Sequence, residues 1–532
     1  MNYLRLQKDR MILRGDDPAP WELRTFRRKD GSHSFPICGD IYRRLRSSMA
    51  LTVDDDLKVA FLDIARGQRL AMEAASLEDC DIPGGEGLRP YQRTGAQWLC
   101  LVKRGVLADE QGTGKTVTAL TAARLAAPTR ALILCSNSKK QDWGDHAREW
   151  GGAPVAVLHG GPSRRDQALE EWKEGYLVAG YGTASAHLED LQGRVDLVIV
   201  DEAHTLRNKD TRLFSAIRAI TRRAEYVFLL TASPTVNKLT DLWPLLDICD
   251  PKRFSSYWGF VYRFCEVEDD GYGLKVGGIR PGEEGNVQRI MKPYVLHREG
   301  MLDLPACRHR VHPYRMSSEQ ADLYQCMKRD GTATLGGEVA VALSDLSLIT
   351  RLRQMAIHPG LVFEGYQGPS KLDALLEVVQ ERGTKAIAFT QFAAVADRAA
   401  ALLSGHGIEA LAYTGAMSEQ QRNAAEAAFR RGSAQVLILT HGVGGEGLNL
   451  VEAERVIFID LAWHPAGNLH ALKRILRIGQ TSADLEAVYL LAEGTIENHV
   501  WAIVRGKRPV TIEALMALDD LEHRGATESG DE

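Results

Sequence analysis

The chain of 532 residues is 45% hydrophobic and 25% charged, an ordinary globular composition with room for about three domains. Its 65 Lys and Arg against 70 Asp and Glu leave a net charge of -5, which excludes no nucleic-acid role, because a local basic cleft is all that phosphate attraction needs. The 8 cysteines form no C-x-x-C pair, no apolar run approaches the ~20 residues of a membrane span, and MNYLRLQKDR lacks the apolar core of a signal peptide; zinc, dithiol and membrane roles fall away, and an intracellular protein, cytoplasmic or nucleoid-associated, is expected.

Residues 1–87 read as a small α+β accessory domain. Trp21–Ile37 predicts two short strands around Asp30-Gly31. Arg24, Arg27, Arg28 and Lys29 make that hairpin basic, which suits a solvated strand pair or a contact with DNA or a partner. Asp54 to Ala75 predicts a helix with an acidic first turn, and IPGGEG at 82–87 predicts a linker. From residue 88 the pattern changes. Val106-Leu107-Ala108 is a short apolar strand, and Val117–Ala127 is helical. Ala131–Cys135, Leu177–Ala179, Asp196–Val200 and Tyr226–Leu230 are short, nearly uncharged runs, as are Lys385–Thr390, Gln435–Thr440, Arg455–Asp460 and Ala487–Leu491. Such runs suit strands covered on both faces, so two parallel sheets and two α/β lobes are expected. Between them, 240–360 reads as mostly helical and rich in aromatics (FSSYWGFVYRF). Residues 504–532 read as a polar, frayed tail.

Two motifs carry chemistry. Gly112-Thr113-Gly114-Lys115-Thr116 sits between a predicted strand and a helix start, where backbone N–H groups and the helix dipole meet phosphate oxygens. Lys115 is expected to reach the β- and γ-phosphates and Thr116 to ligate magnesium. Asp109 stands where the general pattern wants glycine. The second motif, DLVIVDEAH at 196–204, is an apolar strand ending in two carboxylates. Asp201 can hold the magnesium through water, and Glu202 can orient or deprotonate the attacking water; the alternative is an acidic strand-to-helix cap.

LRPYQRTGAQWL, ADEQGTGKT, DEAH, LTASP and RILRIGQ occur in one order, and over about 88–503 the chain resembles the Swi/Snf-type ATPases of helicase superfamily 2. The resemblance implies an α/β fold of two tandem RecA-like lobes with helical protrusions, beside the N-terminal α+β domain. Lobe 1 would span 88–300, with a protrusion at about 240–295. Lobe 2 would span 301–503, with one at about 317–360. An acidic residue at the first-glycine position is common in that family, so Asp109 fits. ATP and Mg2+ follow as cofactors. Gln92 falls where the family contacts adenine, with Tyr91 nearby. Gly112, Thr113, Gly114, Lys115, Thr116, Gly447 and Gln480 are expected at the nucleotide, with Lys115, Asp201 and Glu202 catalytic.

His204 would couple the nucleotide to motif three at Thr231, where Thr231-Ala232-Ser233-Pro234 replaces T-G-T-P and Asn237 follows. YVLHREGMLDLP, LRQMAIHP, Gln391-Phe392, Gly415, Arg422, Phe429 and GVGGEGLNL at 442–450 match further family positions. In HPAGNLHALKRILRIGQ, Arg474 and Arg477 are three apart and would share a helix face as arginine fingers; His470 stands where the family usually has glutamine. The activity implied is a DNA-dependent ATPase that translocates on duplex DNA. A strand-separating DNA or RNA helicase, and a nucleotide-dependent DNA-binding scaffold with little turnover, remain the alternatives.

Overall fold

The computed structural model describes residues 2–7, 10–14, 32–36, 45–46, 49, 51–58, 69–70, 72–232, 238–269, 273–298, 300–302, 304–444, 448–463, 465–477 and 479–505. It divides into two compact units, Met1–Met301 and Leu302–Glu532.

The first unit opens with a four-stranded sheet. Asn2–Gln7 pairs antiparallel with Arg10–Arg14 and parallel with Leu51–Val53, and His33–Pro36 pairs antiparallel with Arg10–Arg14. The first arm of the expected basic hairpin, its turn and its four cations lie outside the described residues, as do 59–68 of the expected helix. The linker at 82–87 is docked, because Arg124 Nη2 donates to the carbonyls of Pro83 and Gly84 at 3.0 and 2.7 Å.

The main sheet of this unit has seven parallel strands, ordered Val295–Leu296, Arg104–Leu107, Tyr226–Leu230, Leu197–Val200, Arg130–Cys135, Gly175–Gly180, Val155–Val157. Side chains alternate between its faces with the strand period of two. Val106, Leu132, Leu134, Val198, Val200, Val227 and Leu229 enter one core cluster. Their neighbours Leu107, Ile133, Cys135, Leu197, Ile199, Phe228 and Leu230 enter another. Both faces are therefore covered, which is why these strands read as unbroken apolar runs.

The second unit repeats the plan with six parallel strands, ordered Cys307–Tyr314, Leu485–Ala492, Arg455–Phe458, Ala386–Thr390, Val436–Thr440, Ala410–Tyr413. Ile387, Phe389, Leu437 and Leu439 serve one core, and Ala386, Ala388, Val436 and Ile438 the other.

The expectation of a mostly helical 240–360 is corrected. Cys265–Asp269 and Leu274–Ile279 form an antiparallel hairpin, Thr332–Leu335 and Glu338–Val341 form another, and Cys307–Tyr314 is a full edge strand. Polar residues alternating along these strands hid them among helices. The aromatic run folds as helix Tyr257–Phe264, with Phe260, Val261 and Phe264 buried and Trp258 and Tyr262 exposed. Helices Ser318–Asp330 and Asp345–Ile357 share a core with Ile496 and Ile503, and Tyr324 Oη receives the backbone N–H of Ile496 at 2.8 Å. The expected tail lies outside the described residues from 506 onward.

Candidate functional site

The glycine loop joins strand Arg104–Leu107 to helix Lys115–Ala126. Gly112 and Gly114 hold φ of 91° and 78°, the left-handed region that glycine enters without a Cβ clash. A Cβ on Gly114 would also come within 2.5 Å of Gln92 Nε2. Gln92 is buried on helix Pro90–Val102 and donates Nε2 to the Thr113 carbonyl at 3.0 Å, beside Tyr91 Oη at 3.1 Å. Thr113 donates its hydroxyl to the Glu110 carbonyl at 2.8 Å. Lys115 Nζ reaches back to the carbonyls of Asp109 and Glu110 at 2.8 and 2.9 Å. Burial pushes the Lys115 ammonium down to about 8, although Glu202, Asp109 and Asp201 pull it the other way.

Asp109 is not a degraded glycine. It is 2% exposed, and Arg298 grips it through two bonds, with Nη1 of Arg298 on Thr94 Oγ1 at 2.9 Å.

Asp201 and Glu202 follow strand Leu197–Val200. Asp201 accepts the indole N–H of Trp143 at 2.9 Å and Lys139 Nζ at 3.3 Å on Oδ2, and the Glu202 N–H at 3.0 Å on Oδ1. Its carbonyl accepts the Tyr181 hydroxyl. Glu202 has a φ of 47°, a left-handed backbone unusual for a residue with a Cβ. Burial raises its carboxyl, but the bond to His204 and the charges of Lys139, His204 and Lys115 outweigh it and hold Glu202 below the usual carboxylate range. His204 Nδ1 lies 3.4 Å from Glu202 Oε2 and 3.5 Å from Thr231 Oγ1, so one imidazole bridges the second motif and Thr231. Ser233, Pro234 and Asn237 lie outside the described residues.

The second unit carries the remaining expected positions. Helix Pro465–Leu472 stops before both arginines, so the expected shared helix face is corrected. Arg474 N bonds to Ala471 O at 3.1 Å and Ile475 N to Leu472 O at 3.3 Å, the tighter i to i+3 winding that ends helices. Arg474 is 0% exposed and donates Nη1 to the Leu448 carbonyl at 3.1 Å, whereas Arg477 is half-buried and donates Nε to the Lys473 carbonyl at 2.8 Å. Gln480 spends its amide on the carbonyls of Ala453 and Ile475 at 3.1 and 3.2 Å and on the Ser482 N–H at 2.9 Å. Gly447 lies outside the described residues. Arg353, from LRQMAIHP, makes a buried bond to Asp460 Oδ2 at 3.1 Å, and its guanidinium lies 4.9 Å from the Trp463 ring.

Trp143, Lys139, Arg298 and the Arg353–Asp460 pair were invisible as site residues in the sequence. The only hint was position. SNSKKQDW follows strand Arg130–Cys135 directly, as DEAH follows the strand beside it.

A glycine turn at a helix start, with two carboxylates at the end of a strand in the same parallel sheet, defines a phosphate-loop α/β protein with a second parallel-sheet lobe. The SNF2-related domain matches residues 91–361, and the helicase conserved C-terminal domain matches 370–479. The chain belongs to the SNF2-related family.

Among curated relatives, the putative ATP-dependent helicase/translocase YwqA of Bacillus subtilis is 29% identical, over 79% of this chain and 48% of its own length. Chromodomain-helicase-DNA-binding protein 1-like of Danio rerio is 24% identical, over 80% of this chain and 44% of its own length. The chain thus spans less than half the length of these relatives. A solved structure of the Sulfolobus solfataricus SWI2/SNF2 ATPase core in complex with dsDNA is 24% identical, with a TM-score of 0.38, over 81% of this chain and 93% of that one. Among the described residues no helix is long and apolar enough to cross a membrane.

Proposed function

We propose that the chain is an ATP-hydrolysing motor that moves on duplex DNA and so remodels DNA or protein–DNA complexes. The observation that carries this is the charge cluster of the first unit, where Lys115 feels the carboxylates of Asp201 and Glu202 and Glu202 in turn feels Lys115. Triphosphate oxygens would replace the carbonyls of Asp109 and Glu110 as partners of Lys115. Gln92 and Tyr91 brace the loop through Thr113 and can meet the base. Glu202, held ionised, is suited to orient the attacking water. His204 would carry the state of Glu202 to Thr231.

Thr116 and Asp201 offer a hydroxyl and a carboxylate, hard oxygens of the kind Mg2+ takes when it keeps water and phosphate as its other ligands. They would hold that ion, and its charge would offset the charge of the triphosphate. Arg477 is the better candidate for a transition-state cation. Arg474 and Gln480, bonded within their own lobe, support the turn that carries it. The family match and the DNA-linked names of several relatives favour DNA as the track.

The test is ATP turnover by the purified chain, at one stated salt concentration, with no nucleic acid, single-stranded DNA, duplex DNA and RNA. Strong stimulation by duplex is expected. Stimulation by single strands with strand displacement would instead favour a helicase, and nucleotide binding without turnover a scaffold.

A further inference from the structure

The carboxylate of Asp201 is crowded. Each of its oxygens offers two lone-pair directions. Both on Oδ2 are taken, by Trp143 Nε1 at 2.9 Å and Lys139 Nζ at 3.3 Å, and one on Oδ1 is taken by the Glu202 N–H at 3.0 Å. The same Lys139 ammonium lies 4.0 Å from Glu202 Oε1, so one cation serves both acids. Without it the two neighbouring acids would lose the one ammonium that contacts both, leaving His204 beside Glu202 only.

The three donors differ in what they can do. The Glu202 N–H is backbone. Trp143 is 2% exposed and belongs to the lobe core. Lys139 ends the short turn Asn137–Lys139 after strand Arg130–Cys135, with 19% of its side chain exposed. A flexible four-carbon stem lets it alone swing away.

We propose that Lys139 is a built-in counter-cation of Asp201 and Glu202 and that it competes with the divalent ion for Asp201. Lys139 steps off as the ion loads and returns when the ion leaves with product. This rests on the reading of Asp201 as an ion-holding residue.

The competition has a measurable size. A partly exposed ion pair is worth about a fivefold change in an equilibrium. The experiment measures Mn2+ binding to the full chain by electron paramagnetic resonance, with a saturating non-hydrolysable ATP analogue, for wild type, Lys139→Met, Lys139→Gln, Lys139→Arg and Asp201→Asn. Circular dichroism of each variant establishes that it is folded. Lys139→Met and Lys139→Gln are expected to bind Mn2+ about fivefold more tightly. Lys139→Arg keeps the charge and is expected to stay within about twofold of wild type. Asp201→Asn is expected to bind much more weakly. Unchanged or weaker Mn2+ binding by both neutral variants, with Asp201→Asn still weakened, overturns the competition and leaves the site reading intact. Normal Mn2+ binding by Asp201→Asn overturns the site reading itself.

Discussion

Arg298 holds Asp109 side-on with one edge of its guanidinium, Nε to Oδ1 at 2.9 Å and Nη2 to Oδ2 at 2.5 Å, from 189 residues further along the chain. The strand that brings it, Val295–Leu296, pairs with Arg104–Leu107, and His297 Nδ1 sits 2.7 Å from the Ala108 carbonyl. The entrance of the glycine loop is therefore fixed by the last strand of its own sheet. A planar five-donor guanidinium does this with a geometry that lysine cannot copy.

Asp109→Ala leaves the Arg298 side chain, 15% exposed, without its anion, a loss of about 3 kcal/mol for a largely buried pair. Asp109→Gly restores the general phosphate-loop pattern but has the same fault, so it is expected to be no better. Thermal unfolding of the chain should show both variants melting several degrees below wild type. An Asp109→Gly variant as stable as wild type would remove Arg298 from this account.

Lys115 gives a pH signature. In the folded protein it titrates near 8, against an ordinary 10.5. Between those values the unfolded chain binds more protons, so stability without nucleotide rises as pH climbs from 8 to 10.5 and that gain is lost as pH falls from 10.5 to 8. Denaturant unfolding at pH 7 to 10 should show this rise in wild type and not in Lys115→Met. A triphosphate favours the charged amine, so binding at pH 9 should take up a proton. Calorimetry in two buffers of different ionisation enthalpy measures that uptake, and none in wild type would refute the burial argument.

Glu202→Gln keeps the shape of the side chain and removes its charge. Turnover should fall by about 10²–10⁴, the usual size of a lost general base, while analogue binding persists. His204→Ala should keep binding but lose stimulation by DNA. Undiminished turnover in Glu202→Gln would move the water-orienting role elsewhere.

The two arginines should separate. Arg474→Ala removes a fully buried guanidinium and its bond to Leu448, so lobe 2 should unfold earlier. Arg477→Ala should fold normally and lose about 10³-fold in rate, the lower range for an arginine finger. Normal stability in Arg474→Ala, or normal turnover in Arg477→Ala, would reverse these assignments.

Much of this was readable from the chain. Eight apolar runs fall on eight central strands because strands covered on both faces carry almost no polar residues; Tyr226–Leu230 matches its strand at both ends, and the other seven miss an end by one or two residues. The glycine loop and the DEAH run announce themselves because both ends of their chemistry are local in sequence. What escaped was non-local. Nothing near Asp109 points to Arg298, and nothing near Asp201 points to Trp143 or Lys139, because strand order is not written in any single strand. The edge strand Cys307–Tyr314 escaped for a different reason. Its burial alternates, and its His, Arg and Pro residues are those that protect an open sheet edge.

Each parallel sheet ends where it began: Val295–Leu296 lies beside Arg104–Leu107, and Leu485–Ala492 lies beside Cys307–Tyr314. A ribosome must therefore deliver nearly the whole of a lobe before that last pairing forms, although Arg104–Leu107 can already pair with Tyr226–Leu230. Until then an apolar edge stands open, and nascent chains stalled near residue 290 or 480 are the ones that would need a chaperone.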